Sequence, residues 1–346
     1  MEIIKPDINI NFLGKQKVAF VISAALILLS VLTLIIHKGP KYGIDFSGGT
    51  LIQVKFEQPV AIDDIKSGFA AMGINVSTVQ EYGVEKPGDY EYLVNTDMTG
   101  ITGQENFSGR VKETLQATTG LAPEILRIEM VGPKVGQDLR GKALFAIFFA
   151  LLFINIYISG RFELKWVEGA IVAAGLIGAV KFFSLFHVSV PVLILVALIV
   201  TLALFWFLKL KYAMGAIVAL IHDVTITVGV FSLFDKEFTL PIIAALLTII
   251  GYSLNDTIVL FDRIRENLKK YTRQSLADNI NTSINETLSR TVLTSITTLI
   301  VVIALFLFGG SIIHDFAFAL IVGVLIGTYS SVFVASPILL WYQAKS

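Results

Sequence analysis

The chain has 346 residues, of which 55% are hydrophobic and 16% charged. With a mean hydropathy of +0.75, it is too apolar for a soluble domain and has the composition of an integral membrane protein. Its 27 Lys and Arg balance 27 Asp and Glu, which argues against nucleic-acid binding, and the absence of cysteine excludes disulfides, thiolate catalysis and Cys-ligated metals.

About eight apolar runs approach the roughly 20 residues needed to span hydrocarbon. They fall at 18–36, 142–158, 167–186, 190–208, 212–234, 240–261, 291–308 and 316–341. The length of the first, and its lack of a small-x-small cleavage site, predict a retained anchor. Between the first two runs the hydrophobic period alternates. Strands are expected at 50–56, 76–82, 91–95 and 125–131. Helices are expected at 61–72 and at 106–118, where Phe107, Val111 and Leu115 share one face. Strand, helix, strand, strand, helix, strand is the ferredoxin-like order. The expected fold is therefore a multi-pass α-helical membrane protein carrying a small α+β ferredoxin-like domain. It divides into 1–37 (N-terminus and first span), 38–140 (the α+β domain) and 141–346 (the remaining bundle). Within the domain, Asp63 and Asp64 read as helix-start residues and Asp97 as a turn residue.

Lys5, Lys15, Lys17, Arg161, Lys165, Lys209, Lys211, Arg263, Arg265, Lys269, Lys270, Arg273 and Arg290 all fall on one side if every run crosses. The positive-inside bias makes that side cytoplasmic, with both termini cytoplasmic and 38–140 exported. Lys236 lies on the opposite side, and Lys181 is expected to snorkel outward. The block Leu164-Lys-Trp-Val-Glu-Gly-Ala-Ile-Val-Ala173 reappears as Leu210-Lys-Tyr-Ala-Met-Gly-Ala-Ile-Val-Ala219, which predicts a duplicated hairpin at about 162–207. Only the second copy carries polar cargo, His222-Asp223, where the first has Leu176-Ile177.

Asp256, beside Asn255, stands inside an apolar run. A charge at the bilayer centre costs roughly 2.5–3.5 kcal/mol on insertion scales, so such residues mark ion or proton pathways, or form a structural ion pair. Burial favours a protonated carboxyl and a neighbouring cation favours the ionised form, so a movable partner can switch it. Arg290 is the candidate partner, followed by the hydroxyl-bearing Thr294, Ser295, Thr297 and Thr298. Asp223, with His222, reads either as a further relay or as a structural hydrogen-bond acceptor. His314 and Asp315 read as interfacial. Gly43, Gly48 and Gly49 at the entry to the exported domain, and Gly132, Pro133 and Gly136 at its return, read as tethers that transmit a tilt or as ordinary turns.

Four motifs in order, Tyr42-Gly-Ile-Asp-Phe-Ser-Gly-Gly-Thr50 with its Asp45, Val131-Gly-Pro-Lys-Val-Gly-Gln-Asp-Leu139, Gly215-Ala-Ile-Val-Ala-Leu-Ile-His-Asp223, and Asn255-Asp256 with Asp262-Arg-Ile-Arg-Glu-Asn267, resemble the SecD/SecF family of bacterial protein export. The resemblance implies a proton-driven auxiliary of secretion, related to the resistance-nodulation-division transporters, in the cell inner membrane. It implies a SecD-like subunit, the SecYEG translocon, YajC-like and YidC-like accessory proteins, the translocating polypeptide and membrane lipid as partners. It also implies that Asp256 and Arg290 are the proton-conducting pair. No cofactor, metal or nucleic acid is expected. The family usually has six spans, so the extra hairpin is a departure. The alternatives are a small-molecule exporter of the same superfamily and a non-conducting translocon scaffold. No nucleophile elbow, phosphate loop or metal constellation suggests an enzyme.

Overall fold

The computed structural model describes residues 8–86, 89–96, 106–185 and 190–345; Lys5 and Asp97 lie outside them. The helices are α1 (Gln16–Ile36), α2 (Ile44–Ser47), α3 (Ile62–Ala71), α4 (Phe107–Thr119), α5 (Pro133–Glu163), α6 (Trp166–Ser184), α7 (Val190–Phe207), α8 (Lys211–Leu233), α9 (Leu240–Lys270), α10 (Leu276–Phe308), α11 (Ser311–Ser330) and α12 (Ser336–Lys345). The strands are β1 (Gly49–Phe56), β2 (Val76–Lys86), β3 (Asp89–Thr96) and β4 (Glu124–Val131). A single π-helical turn, Ser331–Ala335, joins α11 to α12.

Each strand and helix expected in the α+β domain forms within a few residues of its place. The sheet order β2-β3-β1-β4, antiparallel throughout, is the ferredoxin-like topology. One sheet face packs on α3 and α4, burying Ile52, Val54, Phe56, Val94, Ile65, Phe69, Val111 and Leu115. The opposite face, which carries Thr78, Gln80 and Asn95, turns toward the membrane bundle, where Asn95 bonds Glu237 in the α8–α9 loop.

Among the described residues, seven helices are long and apolar enough to cross a membrane. The eighth expected span corresponds to α7, whose fully described stretch, Val196–Phe207, is shorter than a span. Three spans outrun their apolar cores. α5 starts at Pro133, α9 continues to Lys270 and α10 begins at Leu276. At 1.5 Å per residue, the 31 residues of α9 reach about 46 Å, beyond a hydrocarbon thickness of about 30 Å. Its C-terminal end is held by polar bonds: Arg263 Nε pairs with Glu286 at 2.7 Å, and Asn267 Nδ2 donates to the same carboxylate at 2.6 Å. Hydropathy registers only the apolar part of such helices.

α8 lies at the centre of the bundle, with Ala213, Ala216, Ile217, Ala219 and Leu220 buried in its main core. Small residues set the close approaches around it. A side chain at Gly229 of α8 would collide with Ser30 of α1, and one at Gly323 of α11 with Ile249 of α9. Gly229→Leu is expected to destabilise the bundle by roughly 1–3 kcal/mol, the usual cost of overpacking. Unfolding in mild detergent, followed by circular dichroism, measures it.

Candidate functional site

Two carboxylates lie buried inside the bundle, and their surroundings differ. Asp223 of α8 is fully enclosed, and Asp256 of α9 is 4% exposed. Asp223 Oδ2 accepts hydrogen bonds from Ser253 Oγ of α9 at 2.6 Å and Ser330 Oγ of α11 at 2.8 Å. Its Oδ1 lies 2.9 Å from His222 Nδ1, and His222 Nε2 lies 3.0 Å from Ser23 Oγ of α1. Tyr329 closes the chain: its hydroxyl is 3.0 Å from Ser23 Oγ and donates to the Ala19 carbonyl at 2.7 Å. Asp223 and His222 thus cross-link α1, α8, α9 and α11 with every carboxylate oxygen satisfied.

Asp256 sits about one turn further along α9 than Ser253. Its Oδ2 is buried without a hydrogen-bond partner. A buried polar atom left unpaired costs on the order of 1–3 kcal/mol and calls for an explanation. Arg290 stands on α10, the next helix. Among the described residues, however, no ion pair within 4.0 Å joins the two, and Arg290 and Asn255 are exposed. Beside Asp256, Thr257 Oγ1 lies 2.9 Å from Ser331 Oγ, in the first position of the π turn. Of the hydroxyls that follow Arg290, Ser295 Oγ reaches Thr328 Oγ1 of α11 at 2.7 Å, while Thr294 and Thr297 bond carbonyls of their own helix.

The glycine motifs at the two ends of the α+β domain pack against each other. Gly48, at φ +76°, takes a backbone conformation that favours glycine; a side chain there would lie 2.8 Å from Pro133 Cα, and one at Gly136 would lie 2.9 Å from Gly48 N. Gly43 N donates to Phe238 O at 2.9 Å, and Gly49 starts β1 at φ +125°. Gly132 precedes α5, whose first residue is Pro133. Asp45 of α2 accepts from Leu240 N at 2.8 Å and so caps, from another element, the helix that carries Asp256. Near the start of α11, Asp315 pairs with Lys236 at 2.8 Å and the His314 ring packs, tilted, on Phe306. Lys181 is exposed in the last turn of α6.

Ser23, Ser253, Thr257, Tyr329, Ser330 and Ser331 escape the sequence reading. Two signals point to them: hydroxyls clustered inside otherwise apolar spans, and the Gly323-Val-Leu-Ile-Gly327 spacing, which lets α9 approach α11 closely enough for Ser253 and Ser330 to share one carboxylate. The π turn has no comparable sequence mark; such turns recur at functional sites.

The model for "Protein export membrane protein SecD/SecF, C-terminal" matches residues 110–204 and 191–345, and that for "SecD/SecF GG Motif" matches 33–60. A protein translocase subunit SecF from Desulfurispirillum indicum is 40% identical over 97% of this chain and 92% of its own length. One from Calditerrivibrio nitroreducens is 40% identical over 100% and 97%. The crystal structure of SecDF, a translocon-associated membrane protein from Thermus thermophilus, matches with a TM-score of 0.69 and 32% identity over 99% of this chain. This chain spans 40% of that SecDF chain. Full-length kinship at this level, together with the two family models, leads to one conclusion: the chain belongs to the SecD/SecF family of protein export membrane proteins.

Proposed function

We propose that this chain is the SecF-type half of a SecD–SecF assembly that uses the proton motive force to assist polypeptide export through the Sec translocon. A SecD-like bundle is its immediate partner, SecYEG delivers the passenger, and YajC-like and YidC-like proteins are further accessories. The assembly sits in the cytoplasmic (inner) membrane with both termini of this chain cytoplasmic, and residues 38–140 meet the emerging polypeptide. The role is transport, not enzymatic turnover.

One observation carries this reading: Asp256 of α9 is a buried carboxylate with an unpartnered oxygen, and the next helix, α10, carries Arg290, with no ion pair within 4.0 Å between the two among the described residues. Such a group takes up a proton when the cation withdraws and releases it when the cation approaches. Asp223, satisfied on both oxygens, holds the helices together around it, and His222 extends that cross-link to α1. Asn255 lines the approach to Asp256, and Asp45 with the Gly43, Gly48, Gly49, Gly132, Pro133 and Gly136 junctions passes movement of α9 outward. The energy is sufficient, since one proton crossing about 100 mV is worth about 2.3 kcal/mol.

The test is export of a presecretory protein into vesicles that contain the translocon, the SecD-like partner and this chain. Collapsing the proton gradient with a protonophore is expected to remove the stimulation contributed by this chain and leave basal channel export intact. Stimulation that persists without a gradient would make the chain a scaffold.

A further inference from the structure

The α8–α9 loop, residues 234–239, belongs to the membrane bundle, yet its one glutamate reaches into the exported domain. Glu237 Oε1 accepts from Asn95 Nδ2 of β3 at 2.6 Å, and lies 3.4 Å from Thr78 Oγ1 and 3.5 Å from Gln80 Nε2 of β2. These three side chains stand on the sheet face opposite α3 and α4, because Thr78 pairs with Asn95 across the strands and Gln80 is two residues on. The rest of the loop is fastened separately. Phe238 exchanges backbone bonds with Lys41 and Gly43 at 2.7 and 2.9 Å, and Asp235 pairs with Lys41 at 2.7 Å. Glu237 therefore supplies the bond from this loop to the β2–β3 half of the sheet, and α9 starts three residues after it.

We propose that Glu237 is the positioning residue through which the membrane bundle fixes the pose of the exported domain, and that this joint tightens when the exported face is acidified.

The geometry allows either protonation state. Asn95 is buried, and its Oδ1 has no hydrogen-bond partner. Rotating that amide by half a turn presents the orphaned Oδ1 to a protonated Glu237, which then donates where it formerly accepted. The direction of the pH effect follows from linkage. Burial pushes the Glu237 carboxyl above the ordinary glutamate value, opposed by Lys41 and by the Thr78 and Asn95 donors, while Asp235 adds to the rise. The closed joint thus binds a proton more tightly than the open one, whose carboxyl is solvated, so falling pH favours closure. The other charged groups around the joint are matched within it. Lys236 pairs with Asp315, which also meets His314, and Asp45 accepts from Leu240 N. The three sheet side chains that reach Glu237 are neutral; the charged groups on the same sheet face include Glu91, which accepts from Gln53, and the Arg127–Glu129 ion pair, and the Tyr82 phenol, raised by burial, stays neutral.

The joint is a property of the resting structure, and only its use in export rests on the proposed function. The chain has no cysteine, so two introduced ones take spin labels selectively. With labels at Lys66→Cys on exposed α3 and Phe308→Cys at the outer end of α10, electron–electron resonance in lipid nanodiscs reports the pose of the domain. The wild-type distance distribution is expected to narrow between about pH 8 and about pH 5, a window just above the ordinary glutamate pKa of about 4.3. Glu237→Gln is expected to stay narrow at both, and Glu237→Ala, which leaves Asn95, Thr78 and Gln80 without their acceptor, to stay broad at both. A wild-type distribution unchanged by pH, or Glu237→Ala indistinguishable from wild type, overturns the proposal. The same series with Asp256→Asn should be unaltered; loss of the pH response there would assign it to Asp256 and overturn the role of Glu237. A pH response that survives in Asp256→Asn, alongside export that is insensitive to the gradient, would retain the joint and discard the proton-driven reading.

Discussion

Asp256→Asn is expected to abolish the whole stimulated component of export while the protein still inserts, folds and assembles with its partner. Asparagine keeps the size of the side chain and replaces one oxygen by an amide nitrogen, but cannot exchange a proton near neutral pH. The packing also tolerates it: one carboxylate oxygen has no partner to lose, and among the described residues no ion pair within 4.0 Å involves Asp256. Arg290→Met should produce the same loss by a different route, because the carboxyl then has no cation to drive release. The pair is checked by export into reconstituted vesicles, with co-purification of the SecD-like partner as the control for assembly. Full stimulation in both variants would leave Asp256 as an ordinary buried acid.

The second large effect is on stability. Asp223→Leu removes the acceptor shared by Ser253 and Ser330 and the partner of His222. Interhelical hydrogen bonds in membranes are worth about 0.6 kcal/mol on average and up to about 1.7, and stranded buried donors add to the loss. The expected destabilisation is roughly 1–4 kcal/mol, measured by unfolding in mixed micelles. Asp223→Asn should recover most of it, since the serine hydroxyls can turn to accept from the amide, and should conduct protons normally. Normal stability with lost conduction in Asp223→Asn would instead make Asp223 part of the proton path.

The two variants separate what the sequence makes legible from what it does not. Binary pattern alone reads the α+β domain, because its strands alternate residues toward the α3–α4 layer and each helix shows a single apolar stripe, as Phe107, Val111 and Leu115 do. Hydropathy finds the spans but misplaces the ends of α5, α9 and α10, whose polar turns continue the helix through interhelical bonds such as Arg263 with Glu286. A charge in an apolar run singles out Asp256 and Asp223, yet nothing in composition says which of the two is satisfied. That depends on Ser253 and Ser330 meeting over Gly323 and Gly327, a tertiary contact between residues far apart in the chain. The glycine motifs are equally ambiguous in one dimension; folded, Gly48 and Gly136 lie against each other at the neck of the domain. Glu237 shows no sequence signal at all, being one of two acids in a short loop.

The central claim is that Asp256 carries protons, and proton entry into vesicles tests it most directly. With this chain and its SecD-like partner reconstituted and a potential imposed by a potassium gradient, a lumenal pH dye is expected to report proton flux for the wild type and the background rate for Asp256→Asn. Equal flux through the two would contradict the account.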